Sequence, residues 1–66
     1  MYKGKFYVPS VEHQGDIDYF SGVIRNAGGE IIKEYWDGEE DCNAYIHYQC
    51  SCEKQLSEVK QALEDA

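Results

Sequence analysis

The chain has 66 residues, a hydrophobic fraction of 42% and a formal net charge of −7. A single domain of this length buries only about 60% of its unfolded surface, and the apolar and aromatic content excludes full disorder. The acidic balance disfavours direct binding to nucleic acid. No apolar run approaches the roughly 18 to 20 residues that span a bilayer. The N-terminus also lacks the apolar core of a signal peptide, so we expect a cytoplasmic protein without membrane contact.

The first half of the chain predicts one strand and one helix. Residues 2–8 alternate with a period of two, as in a half-buried strand. Asp16 is the expected N-cap of a helix from Ile17 to about Ala27. We interpret Gly22 in this helix as a point of close packing on a sheet. The apolar face of the helix comprises Ile17, Phe20, Ile24 and Ala27.

The stretch from residue 30 to residue 50 organises the rest, because it holds two strand-like runs around an acidic turn. Asp37 and Gly38 are a turn signal, within an expected loop of about four or five residues. In the first run, Ile32, Glu34 and Trp36 would share one face, and Ile31, Lys33 and Tyr35 the other. In the second run, Ala44, Ile46, Tyr48 and Cys50 would alternate with Tyr45, His47 and Gln49. The predicted core face consists of Ile32, Ala44, Ile46 and Tyr48, joined by Trp36.

A last helix follows, with Ser51 as its expected cap and Glu53 in its first turn. Its apolar stripe is Cys52, Leu56, Val59, Leu63 and Ala66. The order β-α-β-β-α predicts an α+β domain over residues 1–66, with both helices on one face of a three-stranded sheet. This architecture resembles a ferredoxin-like fold without its last strand, a likeness that implies no function.

That fold would leave the strand at residues 2–8 at an open edge of the sheet. An open edge invites strand addition by a second copy or by a partner. Lys3, Gly4 and Lys5 are equally consistent with protection of the edge against such pairing. Both interpretations stay open on the sequence alone.

The acidic hairpin is the most specific surface feature. Residues 30–41 hold six acids and one base, with aromatic residues close by. A solvated turn is one interpretation; the sharper one is a recognition surface whose carboxylates meet Arg and Lys while an aromatic ring provides the anchor. The predicted partner-binding residues are Glu34, Tyr35, Trp36, Asp37, Glu39, Glu40, Asp41 and Tyr45.

These features favour a small non-enzymatic protein that binds or inhibits a basic partner. If that partner belongs to a nucleic-acid-binding complex, the carboxylates would imitate phosphates. In size and charge the chain resembles small acidic phage-encoded inhibitors, including anti-CRISPR proteins, although no residue motif carries this class analogy. No catalytic, cofactor or metal site is predicted.

Two alternative functions remain. The first is a metal or redox module that uses Cys42, His47, Cys50 and Cys52. The spacing of these residues matches no common zinc module, so packing is the preferred role for the cysteines. The second is a homodimer that closes its sheet through residues 2–8 and binds a small ligand between helices and sheet.

Overall fold

The structure, a computed structural model, describes residues 1–40 and 43–66. Its elements are β1 (Tyr2–Tyr7), α1 (Gln14–Asn26), β2 (Glu30–Trp36), β3 (Ala44–Cys50) and α2 (Glu53–Asp65). The strands form one antiparallel sheet in the order β1-β3-β2. This confirms the predicted α+β fold with its truncated ferredoxin-like arrangement. The central strand is β3, and β1 and β2 are the edges.

The core lies between one face of the sheet and the two helices. Every second residue of β3 is buried, and each helix contributes an apolar stripe. The buried hydrophobic side chains from these elements are Ile17, Ile24, Ala44, Ile46, Tyr48, Cys50, Val59 and Leu63. The predicted alternation of β3 is therefore confirmed, and so is the central part of both helical stripes.

The β2 strand departs from the predicted alternation because it contains a bulge. Ile31 pairs with Tyr48 and Lys33 pairs with His47, so Ile32 is an extra residue in the ladder. As a result Ile31 packs against the core, whereas the Ile32 side chain is 49% exposed. The prediction of Ile32 on the core face is wrong, because one inserted residue reverses the alternation that precedes it.

The start of α1 was predicted too late in the chain. The N-cap is His13, and Asp16 lies inside the first turn. One oxygen of the Asp16 carboxylate accepts the backbone N–H groups of Glu12 at 2.8 Å and His13 at 3.3 Å. Asp16 occupies the third helical position, N3, and thus stabilises the helix start as the N3 residue of a capping box does.

The start of α2 also differs by one residue, since Cys52 and not Ser51 is the N-cap. Ser51 instead donates from its backbone N–H and its hydroxyl to the Gln55 side-chain oxygen, at 3.2 and 3.0 Å. The Cys52 side chain is exposed, as is Ala66, so both predicted ends of the apolar stripe are wrong. A cap residue lies outside the regular turns of the helix, so its side chain does not lie on the buried face of that helix.

Gly4 permits close packing within the domain, whereas Gly22 does not. A Cβ atom built on Gly4 would overlap the Tyr48 ring, whereas one on Gly22 meets no described atom within 4 Å. The buried Tyr48 ring therefore occupies the space that a side chain at position 4 would need.

Neither helix of the described chain has the length and apolar character needed to cross a membrane.

Candidate protein-binding site

The face of the sheet that the helices leave uncovered carries three rows of side chains. We call these nine residues the open face. One row is Tyr7, Tyr45 and Tyr35; the next is Lys5, His47 and Lys33; the last is Lys3, Gln49 and Glu30. The tyrosine row lies at the end of the sheet where β2 and β3 are connected.

The rings of the tyrosine row support one another. Tyr35 and Tyr45 are stacked, with centroids 5.0 Å apart and an interplanar angle of 19°. Tyr7 meets Tyr45 edge-on at 6.2 Å. The Lys5 ammonium lies 4.6 Å from the Tyr7 centroid and 4.4 Å from that of Tyr45. These contacts restrict the rings before any partner arrives, which lowers the entropy cost of binding.

The charge of the open face is opposite to that of the rest of the molecule. It carries three lysines and a single glutamate, in a chain with a net charge of −7. Every other described acid lies on a connection, on a helix or, for Glu34, on the helix side of β2. Two surfaces with different electrostatic preferences therefore share one small domain.

The connection between β2 and β3 spans residues 37–43, longer than the predicted loop. The Glu39 backbone N–H donates to Asp37 Oδ1 at 3.0 Å, and the Glu39 carbonyl accepts Trp36 Nε1–H at 2.8 Å. Gly38 has a φ of +87°, a conformation that favours glycine. These constraints fix the backbone that carries Asp37, Glu39 and Glu40, all exposed. We call these three residues the acidic turn.

The eight predicted partner-binding residues do not form one surface. Tyr35 and Tyr45 lie together on the open face, beside the acidic turn. Glu34 and Trp36 lie on the other side of the sheet: Glu34 accepts a hydrogen bond from the buried Ser21 hydroxyl at 2.6 Å, and Trp36 packs on the core. Asp41 lies outside the described residues.

Sequence reasoning did not include Tyr7, Lys5 or Lys33 in the site. Their membership depends on the pairing register, which sets Tyr7 opposite Tyr45 and Lys5 opposite His47. The alternation of residues 2–8 places Lys5 and Tyr7 on the side of the strand opposite Phe6. A pairing of this strand with β3 would have completed the grouping.

The cysteine and histidine residues are dispersed. Cys50 is buried, and this burial raises the pKa of its thiol, with a smaller contribution from the nearby Cys52 thiol. His47 belongs to the open face, whereas Cys50 faces the core. Cys42 lies outside the described residues. Within residues 1–40 and 43–66, no three metal-ligating side chains come together.

No protein-family model matches the chain, and comparisons with curated proteins and with solved structures find no match either.

Proposed function

We propose that this is a small non-enzymatic binding protein whose acidic turn and adjoining Tyr35–Tyr45 pair engage a basic protein partner. The observation that supports the proposal is the placement of three exposed carboxylates, on a turn whose backbone is hydrogen-bonded, beside two stacked rings. The two described cysteines are free thiols, which is usual in a reducing compartment. We therefore propose the cytoplasm as the site of action.

Arginine on the partner fits this surface best. A guanidinium group binds a carboxylate through two parallel hydrogen bonds and also stacks on an aromatic ring. The acidic turn offers the first contact, and the exposed side of Tyr35 offers the second. Because the turn backbone is already held by Trp36 and Asp37, little of its conformational freedom remains to be lost on binding.

Glu34 and Trp36 support this surface from behind and are not proposed to touch the partner. Glu34 fastens β2 to α1 through Ser21, and the Trp36 indole holds the turn backbone. Their substitution would weaken binding through loss of positioning.

A nucleic-acid-binding complex is the partner class that we favour. Its phosphate-binding groove presents Arg and Lys in an array, and carboxylates on a rigid turn can occupy such a groove in place of phosphates. The protein would then act as an inhibitor, in the manner of the small acidic phage-encoded proteins that it resembles in size and charge.

The test is affinity capture from host lysate with two matched variants. The first is Asp37→Asn/Glu39→Gln/Glu40→Gln, which neutralises the acidic turn. The control is Glu53→Gln/Glu58→Gln/Asp65→Asn, which removes the same charge from exposed positions on α2. We expect a captured protein that the control retains and the turn variant loses, and that added nucleic acid or high salt releases. Equal retention by both variants, or retention indifferent to salt and nucleic acid, would contradict the proposal.

A further inference from the structure

One edge of the sheet presents a row of unpaired backbone groups. The Val8 N–H donates to the Ala44 carbonyl at 3.0 Å, in the register that pairs Phe6 with Ile46. In an antiparallel ladder the residues that bond to the neighbour alternate with residues whose N–H and C=O groups point away. The backbone groups of Lys3, Lys5 and Tyr7 therefore point to the open edge, where the described chain places no strand.

A cavity of about 280 Å³ lies beside this edge, between β1 and α2. The described residues that line it are Lys5, Phe6, Tyr48, Lys60, Leu63 and Glu64. Its volume is below the range of about 300 to 1,000 Å³ that is usual for drug-sized ligands, and it suits one or two apolar side chains. Lys5 belongs to the open face and yet lines the cavity, so the cavity reaches the strand edge.

We propose that the β1 edge accepts an extended segment of another protein as a fourth strand, with an acidic–apolar–acidic sequence pattern. Side chains of a strand alternate between the two faces of a sheet. The apolar residue of the segment would enter the cavity from the helix side. Its two acidic neighbours would then lie on the open face, opposite Lys3 and Lys5. Backbone hydrogen bonds provide affinity in this binding mode, and the pocket provides specificity.

Charge selects this segment over a second copy of the chain. The antiparallel registers that pair β1 with its own copy, centred at Gly4 or at Lys5, set lysine against lysine, which is destabilising. An acidic segment instead meets Lys3, Lys5 and Lys60. The acids on more distant parts of the molecule are screened over about 8 Å at physiological ionic strength. This inference does not depend on the acidic turn or on its basic partner.

The direct test uses a synthetic ten-residue peptide with a central Glu-Leu-Glu, titrated into the full chain and followed by amide hydrogen exchange. In the free protein we expect fast exchange at Lys3, Lys5 and Tyr7 and protection at Phe6 and Val8. The peptide should protect the three edge amides. N-methylation of the peptide amides that face β1 should abolish binding, whereas N-methylation of the alternate amides should preserve it.

Two variants sharpen the charge requirement. Lys3→Gln/Lys5→Gln should weaken peptide binding between about 2-fold and 30-fold, as expected for the loss of two cross-strand charge pairs. Glu64→Gln removes the one acid among the described cavity residues and should strengthen binding, while the exposed Glu58→Gln on the same helix should leave it unchanged.

Three results would overturn the inference: absence of binding at millimolar peptide, binding that leaves the edge amides unprotected, or concentration-dependent dimerisation through β1. The last result would establish the second copy as the occupant. The Asp37→Asn/Glu39→Gln/Glu40→Gln variant should bind the peptide normally, so failure of the proposed function and failure of this inference can be told apart.

Discussion

The two faces of β3 show how one strand serves two environments. Ala44, Ile46, Tyr48 and Cys50 are buried under the helices, whereas Tyr45, His47 and Gln49 remain half-exposed among lysines and tyrosines. Burial of apolar area is the main source of stability in so small a chain. Residues of the uncovered face contribute less to folding, so their chemistry is free to serve binding. The difference separates the positions that maintain the fold from those available for function.

Truncation of one side chain on each face of β3 tests this division directly. Ile46→Ala should lower the free energy of unfolding by about 2–5 kcal/mol, because it opens a cavity in the core. His47→Ala, its neighbour on the open face, should cost about 0.5 kcal/mol or less. Urea denaturation measures both. If Ile46→Ala fails to fold, Ile46→Val should still cost about 0.5–1.5 kcal/mol. Equal losses at the two positions would refute the division of faces.

Gly4 and Gly22 should respond to substitution by alanine with opposite changes in stability. Gly4→Ala should destabilise the protein by about 1–3 kcal/mol, because the new methyl group overlaps the buried Tyr48 ring. Gly22→Ala should stabilise it by about 0.5–1 kcal/mol, since alanine is the better helix former and the added methyl group has open space. Thermal unfolding of both variants gives the signs directly. A lower stability of the Gly22→Ala variant would instead support the close packing at Gly22 that the sequence predicts.

Two substitutions with unequal expected costs test the link between α1 and β2. Glu34→Ala should cost about 1–3 kcal/mol, because it leaves the buried Ser21 hydroxyl without its partner. The lower end applies if that hydroxyl turns to the carbonyl of Ile17. Ser21→Ala should cost less, since the Glu34 carboxylate reaches water, and the double variant should match Ser21→Ala. A double variant whose loss equals the sum of the two single losses would mean that Glu34 acts independently of Ser21.

The smallest expected effect is a pH dependence at the start of α1. The hydrogen bond from the Glu12 backbone lowers the pKa of Asp16 below its ordinary value of 3.8, assisted by the N–H and the charge of His13 and opposed by desolvation. A lowered folded-state pKa stabilises the protein above the unfolded-state value, and this contribution is lost as the pH falls through the folded value. Unfolding of Asp16→Asn should therefore show a weaker acid dependence below about pH 4 than the native chain.

The control for this measurement is Asp18→Asn, because Asp18 lies in the same helix and its hydrogen bond within the described residues comes from the Gln14 side chain. This variant should keep the acid dependence of the native chain. An unchanged acid dependence in Asp16→Asn would show that the carboxylate does not secure the helix start.

Most of the fold followed from local pattern. The alternation of β3 and the spacing of Leu56, Val59 and Leu63 reflect burial on a single side, which a sequence displays directly. The helix starts were misplaced, because Asp16 and Ser51 each suit more than one position in a cap. The bulge at Ile32 has no local signature, since the extra residue is of the same type as Ile31 before it.

The candidate site was predicted less completely, because it depends on which strands are neighbours. Tyr35 and Tyr45 were correctly placed on one face, but Glu34 and Trp36 were included only because they are adjacent in sequence. Adjacent strand residues point to opposite faces, so a run of acids and aromatics along a strand divides between two surfaces. Tyr7 entered the site through long-range pairing alone.

The bulge in β2 also has a consequence for how the length of this protein can vary. If Ile32 were deleted, Ile31 would still pair with Tyr48 and Lys33 with His47, now in an uninterrupted ladder. Every remaining side chain of β2 would keep its face. A one-residue deletion is usually among the most damaging changes to a strand, but here it should be tolerated. In a deletion scan of the sheet, position 32 should stand out as the site where the chain can be shortened.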